Sequence, residues 1–265
     1  MNIKEFLKLP EIQQLLEKGN LEEIYEKIDS RNRCFLTKFF IDNNIEPLEY
    51  MTEVFPYMYL KLDFKNITIP INIISIRDFA FYGCTSLTSF TVPNSVTSIG
   101  YSAFEECTNL ANIKLPKRIN SIKKYTFCNC KNLKNINIPE GVTDIGYMAF
   151  FGCDNLTNLN IHEGVTSIED EAFRYCKSLT NITIPDGVTN LGNYAFDGCI
   201  KLTNVIIPDS VTRIAAGVFK NCESLTNIKY TGTKTEWENI QKGLQWKRYS
   251  PIKEIHCSDG IIKLR

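Results

Sequence analysis

The fold is decided by residues 133–153, which read LKNINIPEGVTDIGYMAFFGC. The same pattern returns every 23 residues along most of the chain, without an insertion. It is clearest in a column of cysteines, with a phenylalanine three residues before each and a leucine three residues after. The cysteines of this column are Cys84, Cys107, Cys130, Cys153, Cys176, Cys199 and Cys222. A short fixed period indicates a solenoid, because a unit too small to bury its own apolar face must stack on its neighbours.

One repeat is predicted to hold a strand, a turn and a helical turn. Residues 202–207 end in the alternation typical of a strand, and Pro208 ends it because proline cannot donate to a ladder. Apolar residues within 188–199 are three or four apart, which predicts a helical or 3₁₀ turn with one face inward. Counting back one period places the first strand at Phe64–Ile69, so the stack has eight strands. At about 4.8 Å per strand the sheet runs roughly 34 Å.

The repeat resembles the BspA-type repeat of the leucine-rich repeat superfamily, on the signature in residues 133–153 and over about residues 64–230. The resemblance implies a curved α/β solenoid with a parallel sheet on its concave side, and binding as the usual role. The departures from the usual residues concern local turn geometry. They are Lys123 and Glu169 in place of glycine, His162 in place of proline and Val218 in place of alanine.

Three regions are expected: an all-α N-terminal region at 1–62, the leucine-rich repeat solenoid at 63–230 and a small C-terminal cap at 231–265. The end of a solenoid exposes core and sheet edge, so both ends need covering. Whether residues 1–62 only cap the stack or also form a separate interaction module stays open.

Helices are predicted in the N-terminal region from capping signals and apolar spacing. The first runs from Pro10 to Gly19, and the second follows a capping box of Asn20 and Glu23. A third, strongly apolar helix covers residues 35–41 and is closed by residues 42–44. A fourth short segment runs from 47 to 58.

The C-terminal cap is predicted to combine a helical turn with a strand pair. Residues 235–240 have the pattern of a capped turn, and residues 252–262 that of two strands around a turn. Trp237 and Trp246 are expected to cover the last coil.

Composition excludes several functions. The 30 Lys and Arg residues balance 30 Asp and Glu residues, so no overall field favours nucleic acid or an anionic membrane. The start has no secretory pattern, and no run of about 20 apolar residues predicts membrane insertion. The default localisation is cytoplasmic, with the cell surface or delivery to a host as alternatives if export follows another route.

Metal, cofactor and catalytic sites are not predicted. Ladder cysteines lie within disulfide reach, but an in-register stack points them side by side into the core, as a buried structural column. Cys128-x-Cys130 lacks the second pair that zinc sites need. His256 and Cys257 are neighbours on a strand and point to opposite faces. We therefore expect no enzyme, no metal and no cofactor.

The outward positions of the strands form two polar rows. The first row is Ser89, Asn112, Asn135, Asn158, Asn181, Asn204 and Asn227, and the second row is Thr91, Lys114, Asn137, Asn160, Thr183, Ile206 and Lys229. The asparagines can stack their amides along the ladder, or offer donors and acceptors to a ligand, and the two are compatible. The predicted partner-binding residues are Asn112, Lys114, Asn135, Asn137, Asn158, Asn160, Asn181 and Thr183.

Charge and aromatic residues border these rows. Lys117 and Arg118 are followed by an acidic rim at Glu140, Glu163, Asp186 and Asp209, which either orients a basic partner or is only solvated. On the opposite side recur Tyr101, Tyr125, Tyr147 and Tyr194, with Tyr82 and Phe151 nearby, and any that are exposed are candidate binding hot spots.

The predicted function is a non-catalytic scaffold that binds a protein partner through the concave repeat face. The alternative is an adhesion or glycan-binding surface module, which requires export. An enzyme would need a pocket that joins His256 or His162 to an acid.

Overall fold

The computed structural model describes residues 7–18, 20–42, 47–65 and 67–264. The chain begins with helices α1 (Pro10–Glu17), α2 (Leu21–Lys27) and α3 (Ser30–Asp42), followed by a 3₁₀ helix at Pro47–Tyr50. The three predicted α-helices are confirmed, and α2 starts as expected because the Asn20 side chain accepts a hydrogen bond from the Glu23 amide. Residues 19, 43 and 44, named as helix ends, lie outside the described residues.

The repeats form a solenoid with two parallel ladders, and the leucine-rich repeat fold is confirmed. The strands of the long ladder hold residues from the Leu-x-x-Ile-x-Ile part of each repeat. They are Ser89–Thr91, Asn112–Lys114, Asn135–Asn137, Asn158–Asn160, Asn181–Thr183, Asn204–Ile207, Asn227–Tyr230 and Glu254–Cys257. They form two sheets, the first four strands in one and the last four in the other. Their central residues, such as Ile113 and Ile136, are buried, while the flanking residues face outward.

The short ladder corrects the prediction of a helical turn in each repeat. Two-residue strands occupy the start of that segment and pair in parallel with the same strand of the next coil. They are Glu53–Val54, Ser75–Ile76, Ser98–Ile99, Ser121–Ile122, Asp144–Ile145, Ser167–Ile168, Asn190–Leu191, Arg213–Ile214 and Gln241–Lys242. A spacing of three between buried residues, as from Val142 to Ile145, fits this strand and the bend before it as well as it fits a helix.

The third side of each coil is a run of turns. Two residues per coil have positive φ and recur with the repeat, for example Met148 at 51° and Gly152 at 68°. This backbone directs amides alternately to the same coil and to the next one. Thus Phe150 N donates to Ala172 O at 2.8 Å, whereas Phe151 N donates to Met148 O at 3.1 Å. The coils are therefore joined by main-chain hydrogen bonds on all three sides.

The core is a continuous stack of aromatic rings. Tyr59 and the repeat phenylalanines from Phe81 to Phe219 lie with neighbouring centroids 5.0 to 5.7 Å apart. Each ladder thiol donates to a carbonyl of the coil before it, as Cys153 Sγ does to Phe127 O at 3.2 Å. The seven ladder cysteines are buried and free, as predicted.

The first coil begins within the predicted fourth helical segment. Glu53–Val54 pairs in parallel with Ser75–Ile76, and Tyr59 stacks on Phe81 at 5.0 Å. Phe64–Ile69, predicted as the first strand, is not a strand over its described residues. Among its described residues, one main-chain hydrogen bond joins it to the next coil, from Thr88 N to Lys65 O at 3.2 Å, which is too little for a ladder. The division of the chain at residue 62 remains a prediction.

The C-terminal region contains one more coil. Glu254–Cys257 pairs in parallel with Asn227–Tyr230, and Gly260–Lys263 folds back on it as the predicted antiparallel strand pair. Helix α4 (Lys234–Asn239) starts at Thr233 with a capping box. Trp246 lies 6.4 Å from the Phe219 ring, and Trp237 lies 6.1 Å from Trp246. As predicted, the two indoles cover the end of the ring stack.

Candidate functional site

The outward face of the long ladder, here called the sheet face, brings the predicted binding residues together. The described side chains Asn112, Lys114, Asn135, Asn137, Asn160, Asn181 and Thr183 are all exposed there. Registers place them in neighbouring positions, with Asn112 beside Asn135 and Asn137 beside Asn160. The backbone of Asn158 pairs with Asn135, and its side chain is outside what the structure describes.

Three open depressions follow one another along the sheet face. The largest two hold about 800 Å³, around Asn181, Asn204 and His256, and about 770 Å³, around Asn112, Lys114 and further second-row residues. A smaller one of about 200 Å³ shares residues with both. The face thus offers a connected shallow groove of the kind that a macromolecular partner contacts.

The asparagines of this face divide into two groups. Asn204 Nδ2 donates to Asn181 Oδ1 at 2.5 Å, and Asn181 Nδ2 donates to Thr180 Oγ1 at 2.9 Å, so the amides of these two residues are bonded within the chain. By contrast, among the described residues the side chains of Asn112, Asn137 and Asn160 have no hydrogen-bond partner. Amide stacking and open hydrogen-bonding groups therefore occur on the same face.

A second amide column lies beside the strands and was not predicted. Asn132 Nδ2 donates to Asn109 Oδ1 at 3.0 Å, and Asn155 Nδ2 donates to Asn132 Oδ1 at 3.1 Å. These asparagines also recur every 23 residues, so the period itself was the available signal. Because their amides bond along the column, their role is to join coils.

The charged border of the face is exposed, as predicted. No salt bridge involves Lys117, Arg118 or the acidic rim among the residues that the structure describes. Glu163 Oε2 accepts a hydrogen bond from the Asp186 amide at 3.1 Å, so one rim carboxylate also supports the turn of the next coil. The orienting role of the rim stays a prediction.

The tyrosines on the turn side pack between coils. Tyr125 and Tyr147 meet edge to face at 5.2 Å, and burial, with Glu171 next in effect, raises the pKa of Tyr147 to about 12. The Arg174 guanidinium lies 5.3 Å from the Tyr194 ring. All of the predicted tyrosines are half-buried. Their first role is therefore to pack between coils, and only the exposed part of each ring is open to a partner.

Each histidine has an acidic residue near it on the sheet face, and His162 and Glu140 line the same depression. His256 Nε2 lies 3.0 Å from Glu254 Oε2 on the open sheet face. His162 is half-buried, because its ring turns back and Nδ1 accepts a hydrogen bond from the Gly164 amide at 3.0 Å. Its Nε2 is buried without a partner among the described residues.

Burial suppresses the reactivity of the ladder cysteines and of Cys128. Burial raises the pKa of the ladder thiols that show a shift, and raises that of Cys128 to about 12, with Glu105 and Glu106 adding to the effect. In the described part of the chain no group of three or more His, Cys, Asp or Glu side chains could hold a metal ion. No described helix is long and apolar enough to cross a membrane.

Repeated coils of this kind identify the family. A family model for the BspA-type leucine-rich repeat region matches residues 52–180 and 143–264, with six copies. The chain belongs to the BspA-type leucine-rich repeat family. The match begins at the first short-ladder strand and ends in the last strand pair. Leucine-rich repeat proteins of this family are repeat scaffolds, so the resemblance seen in the sequence is confirmed.

Solved structures of bacterial leucine-rich repeat proteins are similar to the chain. A leucine-rich cell surface protein from Faecalibacterium prausnitzii is 29% identical, with a TM-score of 0.53 over 73% of this chain and 61% of its own. A leucine-rich repeat protein from Bacteroides ovatus is 28% identical, with a TM-score of 0.44 over 71% of this chain and 59% of its own. This chain therefore spans about three-fifths of each relative. No curated protein matches the sequence.

Proposed function

We propose that this protein is a non-catalytic scaffold that binds a protein partner through the sheet face. The observation that best supports this proposal is the connected groove, which is lined by exposed polar side chains. The coils that carry these side chains are held to their neighbours by the long and the short ladders. Because this surface is already ordered in the free protein, binding does not lose the conformational entropy that ordering a flexible surface would cost. The helical region at 1–62 is then a cap, a second contact, or both.

The test compares two doubly substituted full chains. Asn137→Trp with Thr183→Trp places two bulky uncharged rings on the sheet face, whereas Thr143→Trp with Thr189→Trp places them at exposed positions beside the short ladder. Both variants are first compared with the wild type by circular dichroism and thermal melting. Proteins crosslinked to each from native lysate are then quantified by mass spectrometry.

We expect a partner that the wild type and the short-ladder variant capture equally, and that the sheet-face variant captures at least about tenfold less, as for disrupted interface cores. Equal capture by both variants would show that the sheet face is not the binding surface.

Adhesion at a cell surface is the second candidate, and it is supported by the Faecalibacterium relative, which is described as a cell surface protein. It requires export, whereas the sequence predicts a cytoplasmic default. Fractionating native cells separates the two: protein that added protease removes from intact cells supports adhesion, and protein protected until lysis supports an internal scaffold.

A further inference from the structure

The two halves of the sheet face differ in how their polar groups are used. In the C-terminal half, Asn204 and Asn181 bond to each other, and Asn227 Nδ2 donates to Thr226 Oγ1 at 3.2 Å. In the N-terminal half, Asn137 and Asn160 are exposed side by side without such a bond within the described chain. The asparagine side chains of the sheet face that have no hydrogen bond within the described chain, Asn112, Asn137 and Asn160, therefore all lie in the N-terminal half.

An exposed primary amide carries one donor group and one acceptor, the same pair that a peptide group carries. An array of such amides can pair with a polypeptide main chain whatever its side chains are. The groove from the strand at Asn112–Lys114 to the strand at Glu254–Cys257 crosses seven strands, or about 29 Å at the usual strand spacing. An extended segment of roughly nine residues has this length, and about three of these residues lie over the N-terminal half, where the strands from Asn112–Lys114 to Asn158–Asn160 span about 10 Å.

The same end of the groove is basic. Lys114 and Lys117 line it together with one carboxylate, that of Glu140, and Arg118 is exposed next to the lysines, so cations outnumber anions there. None of these cations forms a salt bridge with a described residue, so they are available to an anionic group. Among the described residues that line it, the only aromatic ring is that of His162, which is half-buried and turned back to the Gly164 amide, so the groove has no exposed Phe, Tyr or Trp ring on which a base or a sugar could stack.

Resting on the function proposed above, we propose that the N-terminal half of the groove binds an extended acidic polypeptide segment. Asn112, Asn137 and Asn160 bond to its main chain, and Lys114 and Lys117 pair with its carboxylates. The groups involved are side-chain amides and ammonium ions, so recognition depends on main-chain donors and on negative charge together.

Synthetic peptides test this with the full chain, by fluorescence anisotropy. The probes are fluorescein-labelled (Asp-Thr)₅, the same peptide with alternate main-chain nitrogens methylated, and (Lys-Thr)₅. We expect saturable binding of (Asp-Thr)₅, at least about tenfold weaker binding after methylation because donors are lost, and no binding of (Lys-Thr)₅. An acidic oligogalacturonate serves as competitor and is expected not to displace the peptide.

Matched variants identify the groups responsible. Asn137→Ala with Asn160→Ala is expected to weaken binding roughly tenfold, whereas Asn190→Ala, an exposed asparagine of the short ladder, changes it by less than about twofold. Lys114→Gln with Lys117→Gln is expected to weaken binding and flatten its salt dependence, while the exposed Lys201→Gln does neither.

Each contrary result removes part of the inference. Equal binding of the methylated peptide refutes main-chain recognition, displacement by the oligogalacturonate assigns the groove to acidic glycans, and no saturation by about 1 mM peptide refutes the site. If the peptides fail while the sheet-face variant still loses its native partner, the scaffold function stands and only the acidic-segment inference falls.

Discussion

The ring stack makes Phe150 the most informative position for a stability test. Its side chain is completely buried, with ring centroids 5.4 Å from Phe127 and 5.3 Å from Phe173, and nearly parallel planes. Phe150→Ala removes both ring contacts and leaves a cavity in mid-stack that the hydrogen-bonded coils cannot collapse to fill. The neighbouring Phe151 is half-buried and meets only the edge of Tyr175, at 5.4 Å, among the ring contacts described.

The expected cost of Phe150→Ala is about 4 kcal/mol, because fully buried phenylalanines lose 3–5 kcal/mol on truncation and two stacked pairs are lost here. Domains are typically stable by only about 5–15 kcal/mol, so a large share of the stability disappears. At about 2–4 °C per kcal/mol for a chain of this size, the melting temperature should fall by roughly 10 °C.

The assay is urea unfolding followed by circular dichroism, with Phe151→Ala as the matched control. We expect the control to lose no more than about 1.5 kcal/mol, since its ring is partly solvated already. Comparing slopes as well as midpoints checks that the stack still unfolds cooperatively. If Phe150→Ala costs less than about 1 kcal/mol, or no more than Phe151→Ala, the continuous ring stack is not what holds the coils together.

Other parts of the molecule give further expectations. Arg174→Ala should lower the free energy of unfolding in urea by roughly 3 kcal/mol, because Arg174 Nε donates to Oδ2 of the fully buried Asp197 at 2.9 Å. A loss below about 1 kcal/mol, the range of exposed surface ion pairs, would contradict this role. Thr233→Ala removes the cap of α4 and should cost about 1 kcal/mol in the same assay, and no loss would show that the capping box is dispensable. Cys257, which is half-exposed, should be alkylated by iodoacetamide at neutral pH well before Cys128, as mass spectrometry of partly modified protein can show; reaction of Cys128 first would contradict its burial. The folded-state pKa of Cys128 is raised to about 12 from 9.0, so its contribution to stability is complete below pH 9.0 and is lost as the pH rises toward 12. Urea midpoints should accordingly fall over that range less in Cys128→Ala than in the wild type, and an equal fall would refute the assignment.

Much of the fold can be predicted from the sequence because the same spacing of apolar residues recurs in every repeat. The long-ladder strands, the buried cysteine column, the capped helices and the C-terminal strand pair are all predictable from spacing and caps. The short ladder was not, because two-residue strands are too brief to show alternation. The positive-φ turns also left little trace, since residues such as Met148 and Tyr194 occupy them where glycine would be the usual signal. Hydrogen bonds between coils override the local preference there.

The ends of the stack were missed for a different reason. Glu53 and its partner Ser75 are 22 residues apart, and Asn227 and its partner Glu254 are 27 apart, so a search at 23 residues passes over both coils. The last coil is lengthened by helix α4, and the first has Tyr59 in place of phenylalanine. For the candidate site, the sequence located the exposed rows, but which amides were already bonded depended on side-chain rotamers and was visible only in the structure.

Because the coils of the stack are so alike, the gene can gain or lose whole repeats without disrupting the fold. Because ring, thiol and main-chain donors recur at the same place in every coil, removing or duplicating 23 residues joins matching surfaces on both sides of the cut. The length of the solenoid therefore changes in steps of one coil. Each step changes the length of the polar groove by about 4.8 Å and leaves the two end regions in place.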